Sequence, residues 1–391
     1  MAITLRDRCA IVGVGHTRYT RGTSASTLEL QLEAATAALG DAGLTTADVD
    51  AVMPNDMSDR IAEEFILNLG LEDLAFTSTI HTGGASVISA IQSACMAIAT
   101  GVATCVLVVA GRRGYSEQRV STTSVRPMPV LAAVNEFEKP YGSLVAAQWF
   151  AQSAQRHMHE YGTTSEHFGH VALTCRAHAN LNPNAYMHSR PMTLADHQSS
   201  RMITTPFHLL DCSLETDGAA AIVITSAERA ADLRREPVLI SGVGEGHGSP
   251  PTSITQKPDL TFVEGMHFAG RRAFAMAGIG PDEIDCAQLY DGFTWFVLAS
   301  LEALGFCGRG ESGPFVADGR IGLGGQLPVN THGGLLSEAH VSGMNHVIEA
   351  TRQLRRSVEP QRQVTSCETA LVTNEGDFHE GSVLILRKGT S

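Results

Sequence analysis

The sequence predicts an α/β fold made of two similar halves, and three observations support this prediction. Ala37–Met53 (AALGDAGLTTADVDAVM) is echoed later in the chain by Arg272–Leu289 (RAFAMAGIGPDEIDCAQL). Each of these segments follows a similar strand-like run, Ala10–Gly15 in the first case and Leu239–Gly244 in the second. Further continuous apolar runs of strand length alternate with helix-like stretches, as expected for strands buried on both faces of a sheet.

The order of elements is the same in the two echoes. A small-residue helix ends at Gly43 or Gly278, where glycine suits a left-handed C-cap, and an acidic turn then leads into a strand. The other predicted elements are the helices Ser89–Thr100 and His346–Leu354 and the strands Val106–Val109, Ala219–Ile224, Ala370–Val372 and Ser382–Leu386.

These elements predict an N-terminal half over residues 1–230 and a C-terminal half over residues 231–391, joined near Ser226–Glu236. Leu144–Asp211, rich in His, Met, Arg and Pro, interrupts the first half. We expect it to be an insertion of loops and short helices over one face of that half. There it would cover the active site and help to shape a substrate pocket.

Composition excludes several classes of function. A net charge of −13 over 391 residues argues against a protein that binds nucleic acid or a membrane surface. No apolar run approaches the roughly 20 residues of a membrane span, and the start of the chain lacks a signal-peptide pattern. The eight cysteines include no CxxC pair and no zinc-site spacing. We therefore expect reduced thiols, a cytoplasmic protein and no metal.

One candidate site segment is the turn around His81, Gly83 and Gly84, which opens the helix predicted over Ser89–Thr100. Backbone N–H groups and the helix dipole at such a turn suit a nucleophile, an oxyanion or a phosphate. The alternative interpretation is that these glycines only permit close packing.

Two further segments carry polar side chains after predicted strands or beside glycines. Tyr290 and Asp291 directly follow a strand, where α/β folds place their sites. The alternative interpretation is that Tyr290 is a packed aromatic and Asp291 caps the following helix. Asn330 and His340 flank a Gly-Gly turn and can each donate to an oxyanion, although a single histidine is more often structural. A fourth segment, Thr373–Gly381, could carry an acid or base, but we favour a solvated hairpin.

Together these segments resemble the thiolase superfamily, in its branch of sterol-carrier-protein and lipid-transfer-protein thiolases. LPVNTHGGLLSEAHVSG is similar to the thiolase stretch that carries the catalytic histidine, which places His340 at that position. YDGF resembles the motif that helps to form the enolate oxyanion hole, which places Tyr290 there. The resemblance implies the thiolase fold, a five-layer αβαβα arrangement of two duplicated βαβαβαββ halves.

The decisive departure from thiolases is the missing nucleophile. The thiolase Cys-Ala-Ser/Thr-Gly turn corresponds to Gly84-Ala85-Ser86-Val87, so glycine stands where the cysteine is expected. The second thiolase cysteine would fall in Val372–Glu375, which contains none. Cys95 lies three helical turns beyond Gly84 and is predicted to be a core residue, and Cys367 is predicted to lie too far from the site for catalysis.

Without a nucleophile, the chain resembles the thiolase-like aldolases of bacterial steroid side-chain degradation. That resemblance implies retro-aldol cleavage of a 3-hydroxyacyl-CoA with a sterol-like body, giving a ketone or aldehyde and a shorter acyl-CoA. No acyl-enzyme and no cofactor beyond the CoA thioester are needed. It also implies a homodimer core and an OB-fold, acyl-CoA-associated partner.

The expected roles follow from the chemistry of each side chain. Tyr290 is the main acid/base group or hydroxyl contact, and His340 is either an oxyanion donor or the base. Asp291 and Asn330 are orienting residues, His81 is a weaker candidate, and CoA contacts are sought in the loop of Gly83 and Gly84. Two alternatives stay open: a thiolase or acyltransferase that uses another cysteine, and a non-catalytic acyl-CoA-binding or scaffold subunit.

Overall fold

The computed structural model describes residues 4–55, 62–117, 119, 133–249, 256–376 and 380–389. The main sheet contains Cys9–His16 (β1), Ala51–Asn55 (β2), Phe76–Thr77 (β3), Cys105–Arg113 (β4), Asp217–Ser226 (β7), Val238–Gly246 (β8), Cys286–Gln288 (β9), Thr369–Glu375 (β10) and Gly381–Lys388 (β11). A separate hairpin is formed by Met202–Thr204 (β5) and Phe207–His208 (β6).

The α-helices of the described residues confirm the alternation of helices and strands. They are Thr27–Ala42 (α1), Ala62–Leu69 (α2), Ser86–Ala99 (α3), Ala146–Tyr161 (α4), Ser165–Leu181 (α5), Leu194–Ser199 (α6), Ala227–Ala230 (α7), Glu264–Ala277 (α8), Thr294–Ala303 (α9), Ser312–Ala317 (α10), Gly334–Ser337 (α11) and Met344–Leu354 (α12). A 3-10 turn over Gly83–Ala85 leads directly into α3.

The strand order confirms the two similar halves. The sheet runs β3-β2-β4-β7-β1-β8-β11-β10-β9, and its halves meet where β1 pairs with β8 over two residue pairs. Outward from this junction, β1, β7, β4 and β2 repeat the order and the directions of β8, β11, β10 and β9. The predicted boundary between residues 230 and 231 falls between α7 and β8.

Alternating side chains of the strands divide the core into helix-covered layers. On β4, Leu107 and Val109 belong to a cluster with α1, whereas Val106 and Val108 belong to a cluster with α3 and α12. On β11, Leu384 shares that middle cluster, and the opposite face packs with α8. The layers α1, first-half strands, α3 with α12, second-half strands and α8 form the expected five-layer αβαβα arrangement.

Glycines in β1 and β8 explain part of the internal echo. A Cβ on Gly13 would lie 2.1 Å from the carbonyl oxygen of Ala38 in α1, and one on Gly242 would lie 2.2 Å from that of Ala273 in α8. Only glycine lets each helix approach its strand so closely. Both helices end as predicted, at a left-handed glycine cap, for example Gly43 with φ 74°.

The insertion differs from its prediction in structure and position. It contains two long helices, α4 and α5, of 16 and 17 residues. Trp149 and Phe150 of α4 are buried in the core cluster that holds α8 and α9, and Phe150 packs edge-on against Phe296 at 4.4 Å between ring centres. The insertion therefore packs on the second half, because its apolar positions complement the aromatic face of α9.

Candidate active site

Tyr290 lies between the end of β9 and the start of α9, at the edge where α/β folds expose polar side chains. Its side chain is 6% exposed, and its backbone N–H donates to Thr373 Oγ1 at 2.9 Å. The hydroxyl oxygen lies 3.4 Å from His340 Nε2. The structure therefore brings together the two side chains that the sequence analysis assigned to the site, although they are 50 positions apart.

His340 lies between α11 and α12, where its backbone N–H donates to Thr216 Oγ1 at 3.0 Å. Its Nδ1 lies 3.3 Å from Arg112 Nη1 and 3.2 Å from Ser213 Oγ. Burial, Arg112 and His346 lower the pKa of His340 well below its usual range. The imidazole is therefore neutral at physiological pH and can serve as a hydrogen-bond donor or a base.

Arg112 is a site residue that sequence analysis missed. It occupies the end of β4, directly after a buried apolar run, and its side chain is 3% exposed. Its position beyond the predicted strand Val106–Val109 was an available signal, since polar residues at strand ends often reach functional sites. Nothing in the local sequence pairs it with His340, which lies 228 positions away.

Asp291 is a fully buried carboxylate that holds together the segments around Tyr290. It accepts hydrogen bonds from the backbone N–H groups of Leu335 at 2.7 Å and Leu336 at 3.2 Å, in the first turn of α11. His346 Nε2 lies 3.2 Å away on α12. The carboxylate thereby joins the Tyr290 segment to both helices that flank His340, which suits the predicted orienting role.

We expect Asp291→Ala to lower the free energy of unfolding by about 3 kcal/mol, because it leaves buried donors without an acceptor. Urea unfolding monitored by circular dichroism measures this loss. Asp282→Ala is the matched control, since Asp282 is exposed and its removal should change stability by less than about 0.5 kcal/mol. Equal, small effects of both substitutions would contradict the structural role of Asp291.

Asn330 also supports the site from behind. Its side-chain oxygen accepts from the backbone N–H of Leu289 at 2.7 Å, and its side-chain nitrogen donates to the Leu289 carbonyl at 2.9 Å. The backbone of Asn330 is left-handed, with φ 53°, which asparagine tolerates better than most residues. Both ends of the amide thus hold the residue before Tyr290, as an orienting residue would.

The glycine turn before α3 reaches the same site. A Cβ built on Gly84 would lie 2.7 Å from the Tyr290 hydroxyl oxygen and 2.1 Å from the Glu375 carbonyl oxygen. Gly83 adopts a left-handed φ of 56° just before it. His81 is exposed to solvent, in contrast to the buried Tyr290 and His340. Of the candidates in this turn, Gly84 is the one in contact with Tyr290.

The first part of the fourth segment is not a solvated hairpin, contrary to the prediction. Thr373, Asn374 and Glu375 belong to β10 and are at most 1% exposed. Asn374 Nδ2 donates to the Gly84 carbonyl at 2.9 Å and to that of Ser342 at 2.8 Å, which ties the glycine turn to the His340 region. Burial and Glu380 raise the pKa of Glu375 well above its usual range. Residues 377–379 of the predicted hairpin lie outside the described residues.

The described residues contain neither a metal-binding cluster nor a membrane-spanning helix. Within the ranges that the structure describes, no group of three or more His, Cys, Asp or Glu side chains is placed to hold a metal ion. Across the same ranges, no helix combines the length and apolarity required to cross a bilayer.

Comparison with known proteins shows the family of this chain. Residues 246–388 match the family described as Thiolase C-terminal domain-like. The chain is 42% identical over 378 residues to 17-hydroxy-3-oxo-4-pregnene-20-carboxyl-CoA lyase of Mycobacterium tuberculosis, with 94% of this chain and 96% of that protein covered. The chain belongs to the thiolase superfamily.

Two other relatives refine its place in the thiolase superfamily. Steroid side-chain-cleaving aldolase of Thermomonospora curvata is 42% identical over 368 residues, covering 93% of this chain and 94% of that protein. The solved structure of an Ltp2-ChsH2(DUF35) aldolase superposes with a TM-score of 0.93 at 39% identity, covering 99% of this chain and all of that chain. The five-layer fold is therefore shared at full length.

Within the thiolase superfamily, the nucleophile position is the most informative difference. The sequence analysis assigns Gly84 to the position of the thiolase cysteine, and a Cβ built on Gly84 would lie 2.7 Å from the Tyr290 hydroxyl oxygen. Cys95 and Cys367 are fully buried, as a core role predicts. The Cys9 thiol and burial raise the pKa of Cys95 well above its usual range, which disfavours the thiolate form that a nucleophile needs.

Proposed function

We propose that the protein cleaves a carbon–carbon bond of a 3-hydroxyacyl-CoA by a retro-aldol reaction that forms no acyl-enzyme. The observation that carries this proposal is the position of the Tyr290 hydroxyl oxygen, 2.7 Å from where a Cβ on Gly84 would lie. The space that a side chain at position 84 would need is occupied by the hydroxyl of Tyr290 and the backbone carbonyl of Glu375. An acid/base group thus stands where a nucleophile would.

The chemistry needs two functions that the site residues can supply. A base removes the proton of the 3-hydroxyl, whose oxygen becomes the carbonyl oxygen of the leaving ketone or aldehyde. The C2–C3 bond breaks, and its electron pair forms the enolate of the shorter acyl-CoA, which donors such as a neutral histidine can stabilise. A proton then adds to C2. The reaction balances without a metal, a redox cofactor or a covalent intermediate.

The substrate class is inferred from the relatives. One is named as a lyase of a 17-hydroxy-steroid 20-carboxyl-CoA and another as a steroid side-chain-cleaving aldolase. We assign the same class here, a CoA thioester of a shortened steroid side chain with a hydroxyl at C3 of the acyl group. The products would be a steroid ketone or aldehyde and a short acyl-CoA.

The partner is also inferred from a relative. The similar solved aldolase contains a DUF35 component. We propose that this chain likewise assembles with a DUF35-type partner, which carries the OB-fold expected from the sequence, around a homodimer core in the cytoplasm. Co-expression with such a partner, followed by size-exclusion chromatography with light scattering, would measure the composition of the complex.

A mass-spectrometric assay tests the proposed reaction. The chain, alone and with a DUF35-type partner, is incubated with a steroid side-chain 3-hydroxyacyl-CoA, and in parallel with a 3-ketoacyl-CoA and free CoA. Release of a steroid ketone or aldehyde with a short acyl-CoA is the expected result. Thiolysis of the 3-ketoacyl-CoA would instead indicate that another cysteine acts as the nucleophile. Ligand binding without turnover in either mixture would favour the non-catalytic acyl-CoA-binding role.

A further inference from the structure

We propose that Arg112 is a positioning residue that fixes the tautomer of His340, so that His340 donates to the hydroxyl oxygen of Tyr290 and Tyr290 acts as the base. This inference rests on the proposed retro-aldol function and assigns roles within the same site. It decides between two side chains that could each remove the proton of the 3-hydroxyl.

The contact with Arg112 determines whether His340 Nδ1 carries a proton. Arg112 Nη1 lies 3.3 Å from Nδ1, within hydrogen-bond distance and with both groups buried. A guanidinium carries only donors and stays charged in proteins. Nδ1 must therefore present its lone pair to Arg112, since an N–H there would point a hydrogen at the donor.

The protonation of Nδ1 determines that of Nε2, the opposite nitrogen of the ring. A neutral imidazole with a lone pair on Nδ1 carries its proton on Nε2. That nitrogen lies 3.4 Å from the hydroxyl oxygen of Tyr290, so His340 is the donor and Tyr290 the acceptor in this contact. His340 then has no lone pair directed at Tyr290 or at a substrate beside it, and it cannot be the base.

The surroundings of His340 disfavour a doubly protonated imidazolium, in which both ring nitrogens would be donors. Its Nδ1–H would face the guanidinium of Arg112 at 3.3 Å, and its charge would be buried with that of Arg112. Burial and Arg112 both lower the pKa of His340, which agrees with the neutral ring. Ser213 Oγ, 3.2 Å from Nδ1, can donate to the same lone pair.

Other charged and titratable groups face this pair from several packed elements, and they do not supply a competing proton acceptor for Nδ1. His346 lies on α12, with its ring centre 6.4 Å from that of Tyr290, and Asp291 is held by α11 and α12. Glu215 and Asp217 lie just before and at the start of β7, and both act on Arg112 through their charge.

The arrangement suits Tyr290 as the proton acceptor. A donor at Nε2 and a positive charge behind it both interact more strongly with an anionic oxygen than with a neutral one. The phenolate takes the proton of the substrate 3-hydroxyl while the C2–C3 bond breaks. The resulting neutral phenol can return that same proton to C2 of the enolate, so the group is restored after each turnover.

Nitrogen NMR of the histidine rings tests the tautomer independently of activity. In ¹⁵N-histidine-labelled protein, ring nitrogens with and without a proton have distinct chemical shifts, and His340→Gln identifies the His340 signals by their loss. We expect Nε2 to be protonated and Nδ1 to be bare. In Arg112→Met, Ser213 can accept from Nδ1, and the proton should move to Nδ1. A protonated Nδ1 in the unsubstituted protein would overturn the proposal.

Kinetics provide the second readout. Arg112→Met should lower kcat/KM for cleavage by about 10²-fold, mainly through kcat, and shift the rising limb of its pH profile upward by about one pH unit or more. Arg112→Lys retains a donor and a charge and should recover part of this loss. Arg113→Met is the matched control, because Arg113 follows on the same strand but pairs with Glu117 at 3.2 Å.

The outcomes separate this inference from the proposed function. An unsubstituted protein that cleaves no 3-hydroxyacyl-CoA, with or without its partner, would count against the function, whereas the NMR result would stand alone. Cleavage by Arg112→Met at the normal rate with an unshifted pH profile would overturn the role of Arg112 while leaving the retro-aldol reaction in place.

Discussion

Replacing Tyr290 by phenylalanine is expected to lower kcat/KM for carbon–carbon cleavage by about 10²-fold or more, because the change removes only the proposed acid/base oxygen. The ring remains to pack beside Phe296, at 6.0 Å between ring centres. The hydroxyl lies 3.4 Å from His340, and loss of a hydrogen-bonding hydroxyl typically changes the free energy of unfolding by about 0.5–1.5 kcal/mol. Single-turnover cleavage assays and urea unfolding measure the two quantities.

Tyr161→Phe is the matched control for this experiment. Its hydroxyl accepts a hydrogen bond from Arg309 at 3.1 Å, away from the residues of the site. The control therefore removes one bonded hydroxyl without touching the proposed chemistry, and it should cleave substrate normally. Cleavage by Tyr290→Phe within a few-fold of the control would contradict the assignment of Tyr290 as the acid/base group.

Gly84→Ala is expected to cost both activity and stability. The new methyl group would lie 2.1 Å from the Glu375 carbonyl oxygen and 2.7 Å from the Tyr290 hydroxyl oxygen, so the tyrosine or the end of β10 must move. Such overpacking typically costs about 1–3 kcal/mol. Displacement of the acid/base oxygen by even about 1 Å lowers rates by about 10²-fold. Thermal unfolding and cleavage assays would measure both effects.

Gly40→Ala provides the matched glycine substitution. Gly40 lies within α1, and a Cβ there would meet no atom within 4 Å. Alanine is the better helix former, so this variant should be neutral or more stable by up to about 1 kcal/mol and should retain activity. A fully stable and active Gly84→Ala variant would show that the space beside Tyr290 is not filled as the structure describes.

From the same geometry, we expect that a single substitution does not restore thiolase activity. Gly84→Cys places its Cβ at the position where the Tyr290 hydroxyl and the Glu375 carbonyl already lie. Asn374, in the segment where the second thiolase cysteine is expected, joins the Gly84 and Ser342 carbonyls at the end of β10. A cysteine at position 84 would therefore still lack both the space and the second cysteine that a thiolase needs.

Much of the fold could be predicted because it depends on local and repeated patterns. The echo between the halves reports the same helix-on-strand contact twice, and glycine is required at Gly13 and at Gly242 for the same steric reason. Buried strands can also be predicted from continuous apolar runs in the sequence. The insertion was predicted less well, because its long helices are rich in polar and histidine residues and their partners lie in the other half.

The sequence by itself determined the two-halved α/β fold, the place of Tyr290 and His340 after predicted strands or glycine turns, and the absence of a cysteine at Gly84. Only the tertiary structure decided that the Tyr290 hydroxyl fills the space beside Gly84, which backbone groups Asp291 and Asn330 hold, and that Arg112 contacts His340. The physical reason is that each of these contacts joins segments far apart in the chain. Such contacts depend on how the strand ends of the two halves meet, and they leave no periodic signal in either segment alone.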